Sequence, residues 1–239
     1  MLIRKDAIIL KSYDFRNTSK IIHILSSDAH RFSLVAKGAR RTKSQFAGNI
    51  EPLNLTQLVF YIKPEKNLGT LKEATVKNDH RFLKKNLYQL NIGWSLIEIG
   101  RKIPSPMKGL FGLEKRALSF LNSGFKEEVL IYFFLSLFKL QGIFPETRKC
   151  VRCGSGKADF FDIEAGGTKC ENCATESSVL FSPLQNAIEN LKKGRVQTWQ
   201  EISDKNRKKI LTITFKYGIY HLGDWLNRIR DMLPFSIDP

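Results

Sequence analysis

Four cysteines constrain this chain more than any other feature. They form two pairs, Cys150-Val-Arg-Cys153 and Cys170-Glu-Asn-Cys173, separated by the sixteen residues Gly154 to Lys169. A two-residue gap lets both thiolates of a knuckle turn toward one ion, and two such pairs roughly 15 to 20 residues apart match a zinc-site spacing. Between them, Asp159 to Ile163 and the Gly166-Gly167 turn suit a short hairpin, and Gly154 and Ala174 suit tight knuckle turns. Four thiolates close the coordination shell, so one structural Zn2+ bound by Cys150, Cys153, Cys170 and Cys173 is expected, with no open position for chemistry. The competing readings are four buried thiols, a redox pair or an iron–sulfur site. The spacing is unusual for the last. The opening residues show no secretory pattern, which disfavours disulfides.

Hydrophobic periodicity divides the rest. Residues 1–79 read as strands: Ala7 to Leu10, Lys20 to Leu25, Arg31 to Ala36, Leu53 to Ile62 with Pro64 as a stop, and Gly69 to Val76. Short strands of this kind, rich in Ile, Val and Phe and separated by turns, suggest a small barrel or a sandwich. From about residue 80 the period becomes helical. Helices are expected over His80 to Ile103, Leu113 to Leu121 and Lys126 to Gln141, the last apolar nearly all round and hence central. Ser182-Pro183 opens another, to about Lys193, and Ser203-Asp204 the last, to about Met232, with Thr212, Thr214 and Gly218 as its weak middle. The expected organisation is a β domain over 1–80, a helical domain over 81–149 and 175–239, and a cysteine module over 150–174 inserted in it.

Charge points to a partner. The chain has 39 Lys and Arg against 23 Asp and Glu, a net of +16. Residues 1–80 carry +7, 81–149 another +7 and 150–239 only +2. A surplus on this scale favours nucleic acid, ahead of an anionic membrane or an acidic protein. Its focus is Lys37-Gly-Ala-Arg-Arg-Thr-Lys-Ser44, where Lys37, Arg40, Arg41 and Lys43 can neutralise phosphates. Lys63 and Lys66 add to it beyond Phe60 and Tyr61, and Phe46 follows the loop directly. Aromatics beside a basic loop offer stacking faces for unpaired bases, although each taken singly reads first as core.

Nothing in the sequence asks for an enzyme. There is no P-loop, no G-x-G-x-x-G, no G-x-S-x-G and no H-E-x-x-H, and His23, His30, His80 and His221 are scattered. A nuclease would need clustered carboxylates, and the adjacent Glu127 and Glu128 point apart on a helix. The longest apolar run, Val129 to Phe138, is too short to cross a bilayer, which takes about 20 residues. A zinc-ribbon nucleic-acid-binding factor in transcription or translation is the alternative binding class.

Three stretches carry a family resemblance. They are Ala7-Ile-Ile-Leu10 with Tyr13-Asp-Phe-Arg16, leading to Lys37-Gly-Ala-Arg-Arg41 and Lys43-Ser44; Glu51-Pro-Leu53 with Gly69-Thr-Leu71 and Glu73-Ala74; and Leu140-Gln-Gly-Ile-Phe-Pro145 leading into Cys150-Val-Arg-Cys153-Gly154, then Phe181-Ser-Pro183. In this order the chain resembles the bacterial RecO family of recombination mediators in DNA repair. The resemblance implies an α+β protein: an N-terminal OB-fold β-barrel, so a barrel and not a sandwich, then an all-α domain with an inserted four-cysteine zinc finger. It implies binding of single- and double-stranded DNA, annealing of complementary strands coated by single-strand binding protein, and loading of RecA recombinase with a RecR-type partner. It also implies contact between the helical domain and the acidic, apolar C-terminal tail of single-strand binding protein, with Lys126 to Gln141 helping to line such a groove. No membrane role follows, and the location implied is the bacterial cytoplasm, at the nucleoid.

Overall fold

Four consecutive buried apolar residues, Ala7 to Leu10, centre a strand of fourteen residues, β1 (Leu2–Phe15). In the computed structural model, which describes residues 2–63, 68–180, 185, 187–190 and 202–237, it is followed by β2 (Ser19–Ser26), β3 (Arg31–Ala36), β4 (Leu55–Tyr61) and β5 (Leu68–Asn78). These close into a barrel in the order β1-β2-β3-β5-β4. β1 serves both ends of the order. Its first half pairs with β4, from Leu2↔Tyr61 to Ile8↔Leu55, and its second half with β2, from Ala7↔Ser26 to Phe15↔Ser19. A register shift between Ile9 and Lys11 bends it between those partners. The parallel β3–β5 seam spans only Ser33↔Leu68 to Val35↔Thr70. Gly69 sits at that seam, where a Cβ would lie 2.7 Å from Leu34 Cδ2 and 2.9 Å from the Tyr61 carbonyl. The barrel is filled by Ala7, Ile9, Ile22, Ile24, Leu34, Ala36, Leu58, Phe60 and Leu71, with Phe46 and Ile50 from the β3–β4 connection joining them.

The barrel belongs to a compact unit, Met1–Gly124, that also holds α1 (Arg81–Lys85), α2 (Leu87–Lys102) and α3 (Leu110–Asn122). The single helix expected over His80 to Ile103 is thus two. Asn86 turns extended and its side chain accepts from the Gln89 amide at 3.2 Å, capping α2. At the other end, the Arg31 guanidinium from β3 donates to the carbonyls of Gly100, Arg101 and Ile103, at 3.3 Å to Gly100 and 2.7 Å to Ile103. A cation there satisfies orphan carbonyls and meets the negative end of the helix dipole. Beside it the Glu114 carboxyl is fully buried, with no hydrogen-bond partner on either oxygen. Gly100 makes room for it, since a Cβ there would lie 1.5 Å from Glu114 Oε1.

The second unit, Phe125–Pro239, is built on α4 (Glu128–Leu140), whose residues from Val129 to Leu135, with Leu137 and Phe138, are buried. Only its last turn, Lys139 and Leu140, is exposed, so α4 is core and presents no open groove face. α5 (Asp204–Leu222) packs on it through Phe134–Phe215, 4.6 Å between ring centroids, and Phe138–Tyr217, 4.9 Å. Ser203 caps α5. Its middle does not break: Thr214 returns its hydroxyl to the Ile210 and Leu211 carbonyls, and Gly218 lets Leu226 approach. The break falls at Gly223 (φ 115°), and α6 (Trp225–Arg230) follows. Pro64, Lys66 and Ser182-Pro183 lie outside the described residues.

Burial pushes the Glu114 pKa well above the usual carboxylate range, with the Arg31 charge opposing. The folded state therefore keeps a proton that the unfolded chain releases above about pH 4.3, so this group's contribution is fully present in acid and is lost as pH rises. Glu114→Gln, which cannot ionise, should melt higher than the native chain at pH 8, by about 2–4 °C for each kcal/mol recovered. The gap should shrink toward pH 4.5. Thermal melts at both pH values check this, and a lower melting temperature for the variant at pH 8 would contradict it.

Candidate nucleic-acid interface and metal centre

The cysteine module is a small sheet, β7 (Gly167–Lys169), β6 (Phe160–Asp162) and β8 (Val179–Leu180) in that order, with a one-turn 3-10 helix over Glu171–Cys173. The expected hairpin is there, with Gly166 (φ 73°) in its turn. The first knuckle is tied to the hairpin by the Val151 amide donating to the Thr168 carbonyl at 2.8 Å. Asp162, almost fully buried, accepts from the Ala165 amide at 2.8 Å and from Lys169 Nζ at 2.5 Å, with Ser178 Oγ at 3.3 Å. The pair is enclosed and multiply bonded, the condition under which a buried charge is tolerated.

The four sulfurs converge. Cys150, Cys153, Cys170 and Cys173 place their Sγ atoms within 4.8 Å of one another, and among the described residues no other His, Cys, Asp or Glu group is arranged to hold a metal ion. Cys153 and Cys170 Sγ are 3.6 Å apart. A tetrahedron with metal–sulfur bonds of about 2.3 Å has edges of about 3.8 Å, so the donor set fits one ion of zinc's size and geometry. The thiols are pulled in opposite directions. Burial resists ionisation of Cys150, yet backbone amides of Cys170, Cys153 and Arg152 hold its pKa down to about 6. Hydrogen bonding with the Cys170 thiol, then burial, pushes Cys173 up to about 12. Four thiols this close ionise together only around a cation.

On the barrel, the loop after β3 exposes Lys37, Arg40, Arg41 and Lys43 together, and Lys63 is exposed just past β4. Arg40 differs from the others. Its guanidinium meets Asp14 at 3.1 Å and donates to the Arg16 and Asn17 carbonyls at 3.1 and 3.3 Å, while its amide donates to the Thr18 carbonyl at 2.9 Å. Arg40 clamps the loop to the β1–β2 turn. Of the aromatics, Phe46 and Phe60 are core, whereas Tyr61 is 42% exposed.

The histidines stay apart. His23 bonds Ser33 Oγ at 2.8 Å, His30 meets Asp28 at 3.1 Å, His80 is buried against the Leu53 carbonyl, and His221 lies on the Ile163 carbonyl. Among the described residues no helix is long and apolar enough to cross a membrane. Sequence reasoning missed Tyr13, which stands beside His23 with ring centroids 5.6 Å apart. The signal was the alternation Lys11, Tyr13, Phe15 on one face of β1, readable only once the strand register is known.

Residues 1–79 match the family model described as Recombination protein O N terminal, and residues 97–229 the one described as Recombination protein O C terminal. The chain is 30% identical over 195 residues to the DNA repair protein RecO of Rhodopirellula baltica, covering 78% of this chain and 72% of that one. It is 31% identical over 173 residues to that of Salinibacter ruber, covering 70% and 66%. With the RecO of Oceanobacillus iheyensis it is 24% identical over 253 residues, covering 99% and 96%.

If Arg40 is the clamp, Arg40→Ala should release the loop while costing little global stability, since exposed ion pairs contribute only about 0–1 kcal/mol. Limited trypsin digestion read by mass spectrometry should show faster cleavage after Arg41 and Lys43 than in the native chain. Unchanged cleavage would remove the clamp.

Proposed function

The chain belongs to the RecO family of DNA repair proteins, and from that premise we propose that it is a recombination mediator acting by non-covalent means. In this reading residues 1–80 are its nucleic-acid-binding domain. The observation that carries the reading is a closed barrel presenting Lys37, Arg41 and Lys43 on a loop fastened by Arg40. Cations fixed on a small barrel hold phosphates of single- or double-stranded DNA without reading sequence. Neutralised backbones let two complementary strands approach, and the bases then pair by their own chemistry. No residue has to make or break a covalent bond. Strands coated with single-strand binding protein are the substrate, that protein's acidic C-terminal tail and a RecR-type protein are the partners, and loading of RecA is the outcome.

Zinc is the ion of this reading, one per chain and structural. Four-sulfur shells leave no position for water, and the Sγ geometry suits zinc. Metal analysis of protein purified without chelator should find about one zinc per chain, and Cys153→Ser or Cys170→Ser should lose it and lower the melting temperature. Protein without zinc would exclude this ion.

Annealing of complementary fluorescent oligonucleotides coated with single-strand binding protein tests the function. Acceleration is expected without nucleotide, and should disappear when the coating protein lacks its C-terminal tail. In the variant carrying Lys37→Glu, Arg41→Glu and Lys43→Glu, the slope of log affinity against log salt should flatten by about 2 for single strands and by about 3 for duplex. No acceleration with intact DNA would refute the mediator reading, and an unchanged salt slope would remove the loop from it.

A further inference from the structure

The outer face of β1, β2 and β3 is covered at one end only. In the row Ile8–Leu25–Arg31, the first two residues are buried and Arg31 is spent on the end of α2. The next rows on that face, Lys11–His23–Ser33 and Tyr13–Ile21–Val35, run on to Phe15 at the turn. Here aromatic rings and cations alternate. Tyr13 is 39% exposed and lies beside the His23 ring with an interplanar angle of 32°. Lys11 Nζ stands 5.8 Å from the Tyr13 centroid, and Arg16 Cζ 5.1 Å from that of Phe15.

The strip is pre-set. Ser33 Oγ fixes the His23 ring at 2.8 Å. Burial, with Arg101 and Lys11 adding to it, lowers the His23 pKa from its ordinary value and so disfavours a charged ring. The acid at this end, Asp14, is engaged by Arg40, which leaves Lys11 and Arg16 to set the local charge. The same Arg40 bonds to Arg16 and Asn17 join the strip to the basic loop.

We propose that this strip is a subsite for unpaired DNA bases, with Tyr13 and Phe15 as stacking platforms and Lys11 and Arg16 on the flanking phosphates, so that the strip selects single strands while the loop holds either form. A cation-flanked aromatic face suits a nucleobase, whose π-face stacks whatever its identity. In a duplex those faces are already stacked and cannot reach Tyr13. The inference rests on the reading of the barrel as a DNA binder and adds the residue that separates single from double strands.

The test compares affinity for an oligothymidylate and for a duplex of equal length at one salt concentration. Tyr13→Ala should weaken the single strand roughly 5- to 100-fold and leave the duplex within about twofold, and Tyr13→Phe, which keeps the ring, should behave as the native chain. Equal loss for both forms, or no loss for either, overturns the subsite. A native chain that binds neither form overturns the parent reading as well. Photocross-linking of the unaltered protein to 5-iodouracil single strands gives an answer free of folding effects. Adducts on the peptide carrying Tyr13 and Phe15 are expected, and adducts confined to other peptides would refute the proposal.

Discussion

A five-stranded sheet closes only if the two strands at the ends of its order also pair with each other, and in this chain β1 makes that closure by pairing with β4 as well as with β2. Its length lets the first half serve β4 and the second half β2, and the irregularity between Ile9 and Lys11 bends it between the two. At the bend the Ile9 amide donates to the Asn54 carbonyl and the Leu53 amide to the Ile9 carbonyl, at 3.0 and 2.9 Å, so the ladder is not broken where it turns. The β1–β2 turn, the Arg40 clamp that grips that turn, and the row of Lys11, Tyr13 and Phe15 inherit their position from this strand. The short parallel seam between β3 and β5 completes the circle but is too small to direct it.

The basic loop then separates into two kinds of cation. Lys37, Arg41 and Lys43 are exposed charges on a stem that is ordered at both ends. Arg40 spends its guanidinium on Asp14 and two backbone carbonyls. Carbonyl acceptors make this contact more specific than a surface ion pair, because only a planar fork reaches both while still meeting a carboxylate. Fixing the stem reduces the ordering cost of binding a flexible polyanion, which is part of what any interface must offset.

How much was legible in the sequence follows from how local each signal is. The cysteine pairs and the hairpin between them were readable because every contact lies within a short stretch of chain. The strands were readable individually, but barrel and sandwich stayed equivalent until the family resemblance chose between them, since closure depends on partners far apart in sequence, such as Leu2 and Tyr61. The helix boundary at Asn86 was overlooked although Asn86 with Gln89 is a capping signal, because the apolar period runs on through it. Glu114 falls on the apolar face of α3 with Leu110, Ala117 and Leu118, but a carboxylate reads first as exposed, and its burial depends on the space left by Gly100. Tyr61 could be told from its neighbour Phe60 only by which way each faces on β4.

Within the second unit, what a metal at the four cysteines could add is set by what already holds the module without it. The hairpin rests on α5 through Phe161 against Tyr217, 5.7 Å between ring centroids, and through His221 on the Ile163 carbonyl at 3.0 Å. The first knuckle is bonded to Ser155 and Thr168. The second knuckle has much less: a single 3-10 turn with no buried residue, closed by Cys173 and Ala174 amides on the Cys170 carbonyl. One turn with no core of its own does not persist on hydrogen bonds alone, because the entropy of ordering each residue exceeds the net contribution of one bond. An ion held by Cys150, Cys153, Cys170 and Cys173 would supply the missing constraint. Its work would then be to tie a loose turn to an anchored hairpin, a structural task that would use all four sulfurs and leave none of the shell for a reacting group.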